Sequence, residues 1–540
     1  MPDVVVIGGG PAGSTAATML ARQGWRVTLF ERERFPREHI GESLLPASMP
    51  VFEELGVLDA IRAAGFLPKS GASMVWGKDR ERWSWYFSET NRQYPTSFQV
   101  WRPDFDKILL DNARGKGVEV LEGHRVLDVL WEGNRATGVR VAPPGGPELR
   151  VPARYVVDAS GQSGIIGRAR SLRQPDDSFQ NLAVYAYYEG AERLPGPDST
   201  NILIESFENG WFWAIPLHTG RMSVGAVVDH RLGQEGIRAA GPDAFLAAQV
   251  AATTHTSHML RTAKMVSGPH VLRDWSYVST EVSGDGWVLA GDAACFIDPL
   301  FSSGVHLALT AGTLAAALVN TALRDPQLAA EARPVYQQLY YQQYSHFREL
   351  AKLFYSSNMS IDSYFWEARR RLNAEDGASP RQAFIRAVAG QPPRGYERVV
   401  IDRGEAPPEF VAGLAEFNDA RSRRAAEFAR LVESGALGDA RFALAPGALV
   451  AASPVLGDMQ FERGFVVRTA HRPEGVPLSP AAARLVAALD GTTTVDEAIA
   501  SLVAGLEEDA ARHLARGAAT VLQTLYIEGV FEPLAAAAPR

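Results

Sequence analysis

The sequence predicts an α/β fold in which a parallel sheet is joined to a larger antiparallel sheet. The first observation is a βαβ unit at the amino end, where the apolar run DVVVI and the turn GGGPAG precede a helical pattern and a second strand. The second is a pair of apolar strands that run into glycine turns, RYVVDASG and GWVLAGDAA. The third is a series of aromatic-rich strands between residues 181 and 230, which favours a large antiparallel sheet.

Composition indicates a globular protein of two or three domains, with 540 residues, 46% hydrophobic and 21% charged. A net charge of −8 and a pI of about 5.9 argue against a nucleic acid or an anionic membrane as partner. The single cysteine, Cys295, excludes an intrachain disulfide and is compatible with a reducing cytoplasm. The amino end is predicted to be a strand and not a signal peptide, and the most apolar stretch, Leu307–Val319, is too short to span a bilayer. We therefore expect a cytoplasmic protein.

The chain is expected to divide into a core over residues 1–360, a helical and linker region over 361–475 and a carboxyl-terminal module over 476–540. Within the core, nucleotide-binding segments are predicted at about 1–70, 100–180 and 270–330, and a substrate-side sheet at about 71–99 and 181–269. Segments 376–408 and 433–454 are rich in glycine, proline and alanine, as linkers are.

The carboxyl-terminal module shows three helical patterns followed by a short strand. This order resembles a winged helix, in particular the small peptide-binding domains of the PqqD type. A winged helix often binds DNA, but this one lacks a basic stripe, so we do not expect DNA binding. A lid, a dimer contact and a docking site for a carrier protein all stay open as roles.

Gly8, Gly10 and Gly13 form the pattern G-x-G-x-x-G between the first strand and the first helix. Glycines at these positions permit a tight turn and the close approach of a pyrophosphate to the N–H groups of the helix amino terminus. Glu31 ends the second strand, 18 residues after Gly13, where a carboxylate accepts hydrogen bonds from a ribose diol. Together they predict a dinucleotide site, with a chance glycine-rich turn as the alternative.

Asp158 and Asp292 end two predicted strands, at the edge where open α/β sheets bind their ligands. With the glycine turn, these motifs resemble those of the flavoproteins with two dinucleotide-binding domains, the class of para-hydroxybenzoate hydroxylase. The resemblance implies the FAD-binding (GR2) fold of that class, FAD as cofactor and both aspartates close to it. It further implies that Asp292 contacts the ribityl chain or the phosphates, and that Arg102 reaches the pyrophosphate. An ordinary ion pair at a helix start is the alternative for Arg102.

Residues 210–216 are Gly-Trp-Phe-Trp-Ala-Ile-Pro. This stretch matches the GWxWxIP motif of the flavin-dependent halogenases, and the chain resembles that family over roughly residues 1–370. Trp211 and Trp213 share one strand face because strand side chains alternate. Beside a flavin, two indoles would fill space and restrict the access of a substrate. The alternative is that the two tryptophans only pack in the core of a sheet.

The resemblance also implies roles for Lys69, Ser303 and Gly304. Halogenases of this family carry a lysine between the first flavin segment and the aromatic strands, which is Lys69 here, and Lys78 in a charged turn is the alternative. An ammonium polarises hypochlorous acid through a hydrogen bond, whereas an amine forms a chloramine if desolvation lowers its pKa. In the family a loop holds the halide through backbone groups that map to Ser303 and Gly304, and a simple helix cap fits the same residues.

Two further segments carry the resemblance. The stretch HIGESLLP at 39–46 is predicted to form a loop over the flavin, with Glu42 and Ser43 near the cofactor. Pro299, in the halide loop, is predicted to contact the cofactor as well. The stretch DSYFWEARR at 362–370 is predicted to form an amphipathic helix.

The chain departs from one branch of the family at Phe301, where tryptophan halogenases place a glutamate. The resemblance therefore points to the branch that acts on phenols or pyrroles in natural-product biosynthesis, often on an acyl group tethered to a carrier protein. The implied reaction is a FADH2-dependent halogenation, chlorination above all, through a flavin hydroperoxide and hypohalous acid that reaches Lys69. A separate flavin reductase would supply FADH2, and chloride or bromide would be the halide.

Two other functions share some of these motifs. An aromatic flavin monooxygenase would have the same flavin motifs, but it needs neither the GWxWxIP motif nor Lys69. A flavin-binding interaction protein without turnover would not need the halide loop. Both stay as alternatives, with no nucleic-acid or membrane partner expected for any of the three.

Overall fold

The computed structural model describes residues 1–76, 81–208, 210–356, 408–469 and 472–534. Lys78, the predicted helix at 362–370 and nearly all of the predicted linker at 376–408 lie outside the described residues. The strands are β1 Val4–Ile7, β2 Val27–Glu31, β3 Leu67–Lys69, β4 Gly71–Val75, β5 Arg82–Tyr86, β6 Ser97–Gln99, β7 Glu119–Glu122, β8 Arg125–Glu132, β9 Arg135–Ala142, β10 Leu149–Pro152, β11 Tyr155–Asp158, β12 Arg173–Glu189, β13 Ile202–Phe207, β14 Gly210–Pro216, β15 Arg221–Asp229, β16 Lys264–Ser279, β17 Ser283–Gly284, β18 Trp287–Leu289, β19 Cys295–Phe296, β20 Arg441–Leu444, β21 Leu449–Leu456, β22 Phe461–Thr469, β23 Arg472–Leu478 and β24 Phe531–Leu534. The helices are α1 Pro11–Arg22, α2 Met49–Leu55, α3 Leu58–Ala63, α4 Arg102–Gly115, α5 Ile165–Ala169, α6 His230–Ala251, α7 His255–Met259, α8 Gly304–Arg324, α9 Pro326–Ser356, α10 Pro408–Glu433, α11 Pro480–Ala488, α12 Val495–Val503 and α13 Glu508–Ile527.

Among the described residues, six strands form a sheet in the order β17-β18-β11-β1-β2-β7, which is parallel except at the β17–β18 edge. β1, β2 and β11 are buried along their whole length, as the apolar runs of a parallel sheet are. β1 lies between its two parallel neighbours, with β2 on one side and β11 on the other. The carboxyl ends of β1 and β11 therefore form the switch point at which open α/β sheets bind ligands.

A second sheet in the described part of the chain has the order β19-β16-β12-β15-β14-β13-β4-β5 and is antiparallel except for the β13–β4 pair. The alternation of strand side chains gives this sheet two different faces. Phe212 points to a core that includes Phe245 and Leu246 of α6, whereas Trp211 and Trp213 point to the opposite face and line a cleft.

The structure differs from the predicted sheet in its strand partners. The predicted strand SFQVW forms β6, which pairs with β3 and not with the large sheet, and Gln99 at its end also pairs with Ser43. The approximate boundaries at 180 and 270 fall inside β12 and β16, two long strands that pair with each other. Sequence periodicity predicts that a segment is a strand but does not specify its neighbour, which explains both differences.

α8 is the one helix in the described ranges that is long and apolar enough to cross a membrane. The sequence predicts that the apolar stretch Leu307–Val319 is too short to span a bilayer. The helix that contains this stretch is longer, at 21 residues. However, 78% of its most apolar window is buried inside the protein, and α8 packs against α1. This burial is typical of the central helix of a globular core.

The chain divides into two compact units, the first with residues 1–324 and 336–356 and the second with residues 325–335 and the described residues from 408 onward. In the second unit, α11, α12, α13 and β24 lie where the sequence predicts three helices and a strand. β20 and β21 lie partly in the segment 433–454 that composition assigned to a linker. Gly447, with φ +83, lies between these two strands, which belong to different sheets, so the glycine there marks a turn inside the unit. The likeness to peptide-binding modules stays a prediction.

Candidate active site

A cleft of about 540 Å³ lies in the first unit and is lined by residues from both of its large sheets. Its volume falls in the range of about 300–1,000 Å³ that is typical of small-molecule sites. One side is formed by the carboxyl ends of the parallel strands, and the other by the aromatic face of the antiparallel sheet. Most of the residues that the sequence singles out lie on this cleft.

The glycine turn between β1 and α1 forms one wall of the cleft. Gly8 has φ +100, and a Cβ there would lie 2.4 Å from the backbone oxygen of Ala159. A Cβ at Gly13 would lie 1.9 Å from the oxygen of Gly8, so both positions exclude a side chain. Gly8 and Gly10 line the cleft directly, while Gly13 packs behind the turn. The open amino terminus of α1 thus faces the cleft, as an anion site requires.

Glu31 lines the cleft at the end of β2 and is buried. Its Oε2 accepts a hydrogen bond of 2.7 Å from the backbone nitrogen of Gly9, and its Oε1 accepts one of 2.9 Å from the backbone nitrogen of Glu33. A carboxylate has about four lone-pair sites, so further acceptor capacity remains for a ribose diol. The two backbone bonds fix its orientation towards the glycine turn.

Two arginines lie beside the glycine turn. Arg102, at the start of α4, donates to both carboxylate oxygens of Asp106 at 2.7 and 2.8 Å and to the carbonyl oxygen of Ile40 at 2.5 Å. It also lines the cleft, so the alternative ion pair is present and the contact with a pyrophosphate stays a prediction. Arg37 also lines the cleft, with Nη1 3.2 Å from Asp106 and Nη2 3.5 Å from the position that a Cβ of Gly10 would occupy.

The two predicted aspartates differ in position. Asp158 does not line the cleft; its carboxylate accepts hydrogen bonds from the backbone and hydroxyl of Ser160 and from the backbone nitrogen of Ile166. It therefore holds the turn and the start of α5 behind the cleft wall. Asp292 does line the cleft. Burial raises its pKa to about 6, although Arg102 and Arg173 oppose the shift.

Residues 39–43 of the stretch predicted to form a loop over the flavin line the cleft. Glu42 and Ser43 both line it. The Glu42 carboxylate is buried and accepts a hydrogen bond of 2.9 Å from the hydroxyl of Tyr187. Ser43 pairs with Gln99 through its backbone, which fixes the loop to β6.

Trp211 and Trp213 both line the cleft from β14, with ring centres 6.0 Å apart. The indole nitrogen of Trp213 donates to the hydroxyl of Ser223 at 3.2 Å. Tyr185, on the neighbouring part of the sheet, lies with its ring 6.1 Å from that of Trp213 and also lines the cleft. The tryptophan pair is therefore both a packed part of the sheet and a wall of the site.

The predicted halide loop reaches the same cleft. Pro299 and Gly304 line it, while Ser303 is buried beside them. Asp298 caps the short 3-10 helix before the loop by accepting from the backbone nitrogen of Leu300. A Cβ at Gly304 would meet no atom within 4 Å. The first turn of α8 therefore borders open space at Gly304, and a halide bound to its N–H groups stays a prediction.

Lys69 is not among the residues that line this cleft. It ends β3, is buried, and has its Nζ 5.6 Å from the ring centre of Phe87. Burial lowers the pKa of Lys69 to about 7. The structure thus brings the flavin motifs, the tryptophan pair and Gly304 together on the cleft, whereas Lys69 is buried outside the set of lining residues.

Sequence reasoning missed three side chains of the cleft region. Arg37 follows the charged stretch before HIGESLLP, and its proximity to a predicted loop over the cofactor could have indicated it. Tyr185 and Tyr187 alternate on β12 in the same way as the tryptophan pair does on β14. That alternation was a usable signal, but only the sheet order shows that the two strands share a face.

The cleft fits a dinucleotide. The glycine turn excludes side chains beside a helix amino terminus, two arginines flank it, and the carboxylates of Glu31 and Asp292 line the cleft after two parallel strands. A sequence profile of FAD-dependent oxidoreductases matches residues 3–171. Fold and site thus define a FAD-dependent oxidoreductase. The profile of the tryptophan halogenase family matches residues 90–406, more than half of the chain. The chain belongs to this family, the flavin-dependent halogenases.

Several relatives have named activities. The chain is 35% identical to tryptophan 2-halogenase of Chondromyces crocatus over 75% of this chain and 76% of that one. It is 31% identical to a 1H-pyrrole-2-carbonyl-[peptidyl-carrier protein] chlorinase of Pseudomonas fluorescens, over 69% of this chain and 87% of that one. The crystal structure of CmlS, a flavin-dependent halogenase, is 30% identical, with a TM-score of 0.71 over 98% of this chain and 95% of that one. Because these names include both tryptophan and a tethered pyrrole, the branch predicted from Phe301 stays a prediction.

Proposed function

We propose that this protein halogenates an electron-rich aromatic ring, chlorination above all, with reduced FAD, oxygen and a halide. The observation that carries the proposal is one cleft lined by the dinucleotide turn, the pair Trp211 and Trp213, and Gly304. When bound, reduced FAD would react with oxygen and supply the oxidising equivalent that converts halide to hypohalous acid. The remaining steps depend on side chains and backbone groups of this chain.

The halide would be held at the first turn of α8. Backbone N–H groups at a helix amino terminus lack intrahelical partners and carry partial positive charge. Gly304 lines the cleft, and a Cβ there would meet no atom within 4 Å, while Ser303 is buried beside it. A chloride ion needs no side-chain cation at such a site, since the N–H groups supply both charge and hydrogen bonds.

Trp211 and Trp213 would separate the aromatic substrate from the cofactor. Their two indoles line the same cleft as the glycine turn and would hinder the passage of an aromatic ring. Hypohalous acid is small enough to pass beside them. This arrangement would favour transfer of an oxidised halogen over direct oxygen transfer from cofactor to ring.

Lys69 would deliver the halogen to the ring. Its amine is buried, and among the described residues no carboxylate contributes to its lowered pKa. Such a group is available either as an ammonium that polarises hypohalous acid or as an amine that forms a haloamine. Lys69 does not line the cleft. The proposal therefore requires that hypohalous acid travels from the cleft to the amine of Lys69.

The substrate would be a phenol or pyrrole, free or tethered to a carrier protein. Phe301 stands where tryptophan halogenases place a glutamate, and it is buried. The hydroxyl of a phenol or the nitrogen of a pyrrole makes the ring more reactive towards an electrophilic halogen. Such a substrate would therefore depend less on a glutamate at this position. The relative that chlorinates a carrier-bound pyrrole supports this class. A separate flavin reductase would supply FADH2.

The test is a product mass assay. The protein is supplied with FAD, a flavin reductase and NADH, and is offered phenols and pyrroles, free and carrier-tethered, in chloride and then in bromide. We expect a product whose isotope pattern changes with the halide. Addition of oxygen that does not depend on the halide would instead identify an aromatic monooxygenase, and the tryptophan pair would then be sheet packing only.

A further inference from the structure

The turn Gly291–Ala293, which we call the GD turn, follows β18 and carries Asp292 to the cleft. Two of its carbonyl oxygens accept hydrogen bonds from tyrosine hydroxyls. Tyr340 on α9 donates to the oxygen of Gly291 at 2.7 Å, and Tyr277 on β16 donates to the oxygen of Asp292 at 2.5 Å. Both tyrosines are buried, so water does not readily replace either bond. The GD turn is therefore held from α9 and from the antiparallel sheet at once.

The two bonds fix the orientation of consecutive peptide groups in the GD turn. In a planar trans peptide the C=O and N–H groups point in opposite directions. The two carbonyls that the tyrosines hold share their peptide groups with the N–H groups of Asp292 and Ala293, which therefore point away from the hydroxyls. Burial raises the pKa of Tyr277 and of Tyr340, so both hydroxyls stay protonated donors over the physiological pH range.

Tyr277 also joins the GD turn to the turn that follows β11. The guanidinium of Arg173 lies 4.2 Å from the ring centre of Tyr277, and its Nη1 donates to the carbonyl oxygen of Gln162 at 2.8 Å. Gln162 and Asp292 both line the cleft. Because Arg173 lies on β12 and Tyr277 on its partner β16, this pair of strands holds both turns.

We infer that Tyr277 and Tyr340 are positioning residues for FAD, whose hydroxyls hold the GD turn in the arrangement that binds the cofactor. The inference rests on the FAD-binding part of the proposed function and not on halogen transfer. Neither tyrosine lines the cleft, so both act through the turn. Without a hydroxyl, a buried carbonyl loses its donor and the turn is held less firmly, and the cost of ordering it on binding opposes the binding of FAD.

The experiment compares Tyr277→Phe and Tyr340→Phe with the wild-type protein, since each change removes one hydroxyl and keeps the ring. The dissociation constant of oxidised FAD is measured by titrating the protein without cofactor and following flavin fluorescence. We expect it to rise about fivefold in Tyr277→Phe and about threefold in Tyr340→Phe. The effect at Tyr340 is smaller because the oxygen of Gly291 keeps a second hydrogen bond, of 2.9 Å, from the backbone nitrogen of Ala294.

α9 offers a matched control in Tyr336. Its ring is buried and nearly parallel to that of Tyr340, with centres 6.2 Å apart. Its hydroxyl donates at 2.6 Å to the carbonyl oxygen of Leu289, which ends β18 and does not line the cleft. Tyr336→Phe therefore loses a bond of the same kind. It should lower the free energy of unfolding in urea about as much as the other two changes do, and leave the dissociation constant of FAD unchanged.

Hydrogen–deuterium exchange of the protein without cofactor gives a readout that does not depend on activity. Peptides that contain residues 291–294 should exchange faster in Tyr277→Phe and Tyr340→Phe than in the wild-type protein or in Tyr336→Phe. The inference is overturned by an unchanged dissociation constant in both test variants, by unchanged exchange of the GD turn, or by an equal loss of FAD affinity in Tyr336→Phe. Weaker FAD binding in the test variants alone, with no halogenated product from the wild-type protein, would overturn the proposed halogenation and leave this inference standing.

Discussion

Two buried cations of the first unit, Arg102 and Lys69, have opposite surroundings. Each is at most 3% exposed. Burial alone would lower the pKa of Arg102, but the carboxylate of Asp106 outweighs this effect and raises it. Lys69 has no such partner among the described residues, its nearest ring is that of Phe87, and burial lowers its pKa to about 7.

The difference in charge state matches the two proposed roles, cofactor binding for Arg102 and halogen transfer for Lys69. A paired guanidinium keeps its charge over the whole physiological pH range and suits the fixed charge of a pyrophosphate. An unpaired buried amine exists as two protonation states near neutral pH, which is what a group that transfers a halogen needs. We therefore expect a constant charge at Arg102 beside the glycine turn and a charge that changes with pH at Lys69.

The largest expected effect is at Lys69. Lys69→Ala should lower halogenated product by about 1,000-fold while flavin oxidation continues, because the variant loses the group proposed to transfer the halogen. Product is measured by mass spectrometry and flavin oxidation by absorbance. Lys107→Ala, which removes a half-exposed lysine paired with Asp111, is the control and should retain full activity. Undiminished halogenation in Lys69→Ala would show that another residue delivers the halogen.

The sequence predicted the flavin half of the fold well. A βαβ unit with a glycine turn has strong local constraints, since Gly8 and Gly13 leave no room for a Cβ. The same local signals placed Glu31 and Asp292 at strand ends, and both line the cleft. Asp158 shows the limit of this reasoning, because a strand-end aspartate serves equally well to cap the next helix.

The antiparallel half was harder to predict because its contacts are not local. Alternation showed that Trp211 and Trp213 share a face, but not that Ser223 or Tyr185 would meet them from neighbouring strands. β6 was expected in the large sheet and pairs with β3 instead. The environment of Lys69 follows from that pairing, so its burial could not be derived from the residues around it in the sequence.

A smaller effect, on stability, is expected when Arg102 loses the carboxylate of Asp106. Asp106→Ala leaves Arg102 buried without its carboxylate and should lower the free energy of unfolding by about 3–5 kcal/mol, measured by urea denaturation of the protein without cofactor. The control is Asp111→Ala on the same helix, where the ion pairs with Lys107 and Arg114 are half-exposed and contribute about 0–1 kcal/mol. Equal effects of the two changes would mean that solvent reaches Arg102 more freely than its burial indicates.

The smallest effect expected is the pH dependence of halogen transfer. With a pKa of about 7 for Lys69, the neutral amine increases about tenfold between about pH 6 and pH 8. If the amine accepts the halogen, product per flavin oxidised should rise by that factor over this range. Lys69→Arg, which stays charged, should show no rise. A yield that falls with pH would instead assign the transfer to the ammonium, which acts by polarising hypohalous acid, and a flat yield would mean that Lys69 does not titrate in this range.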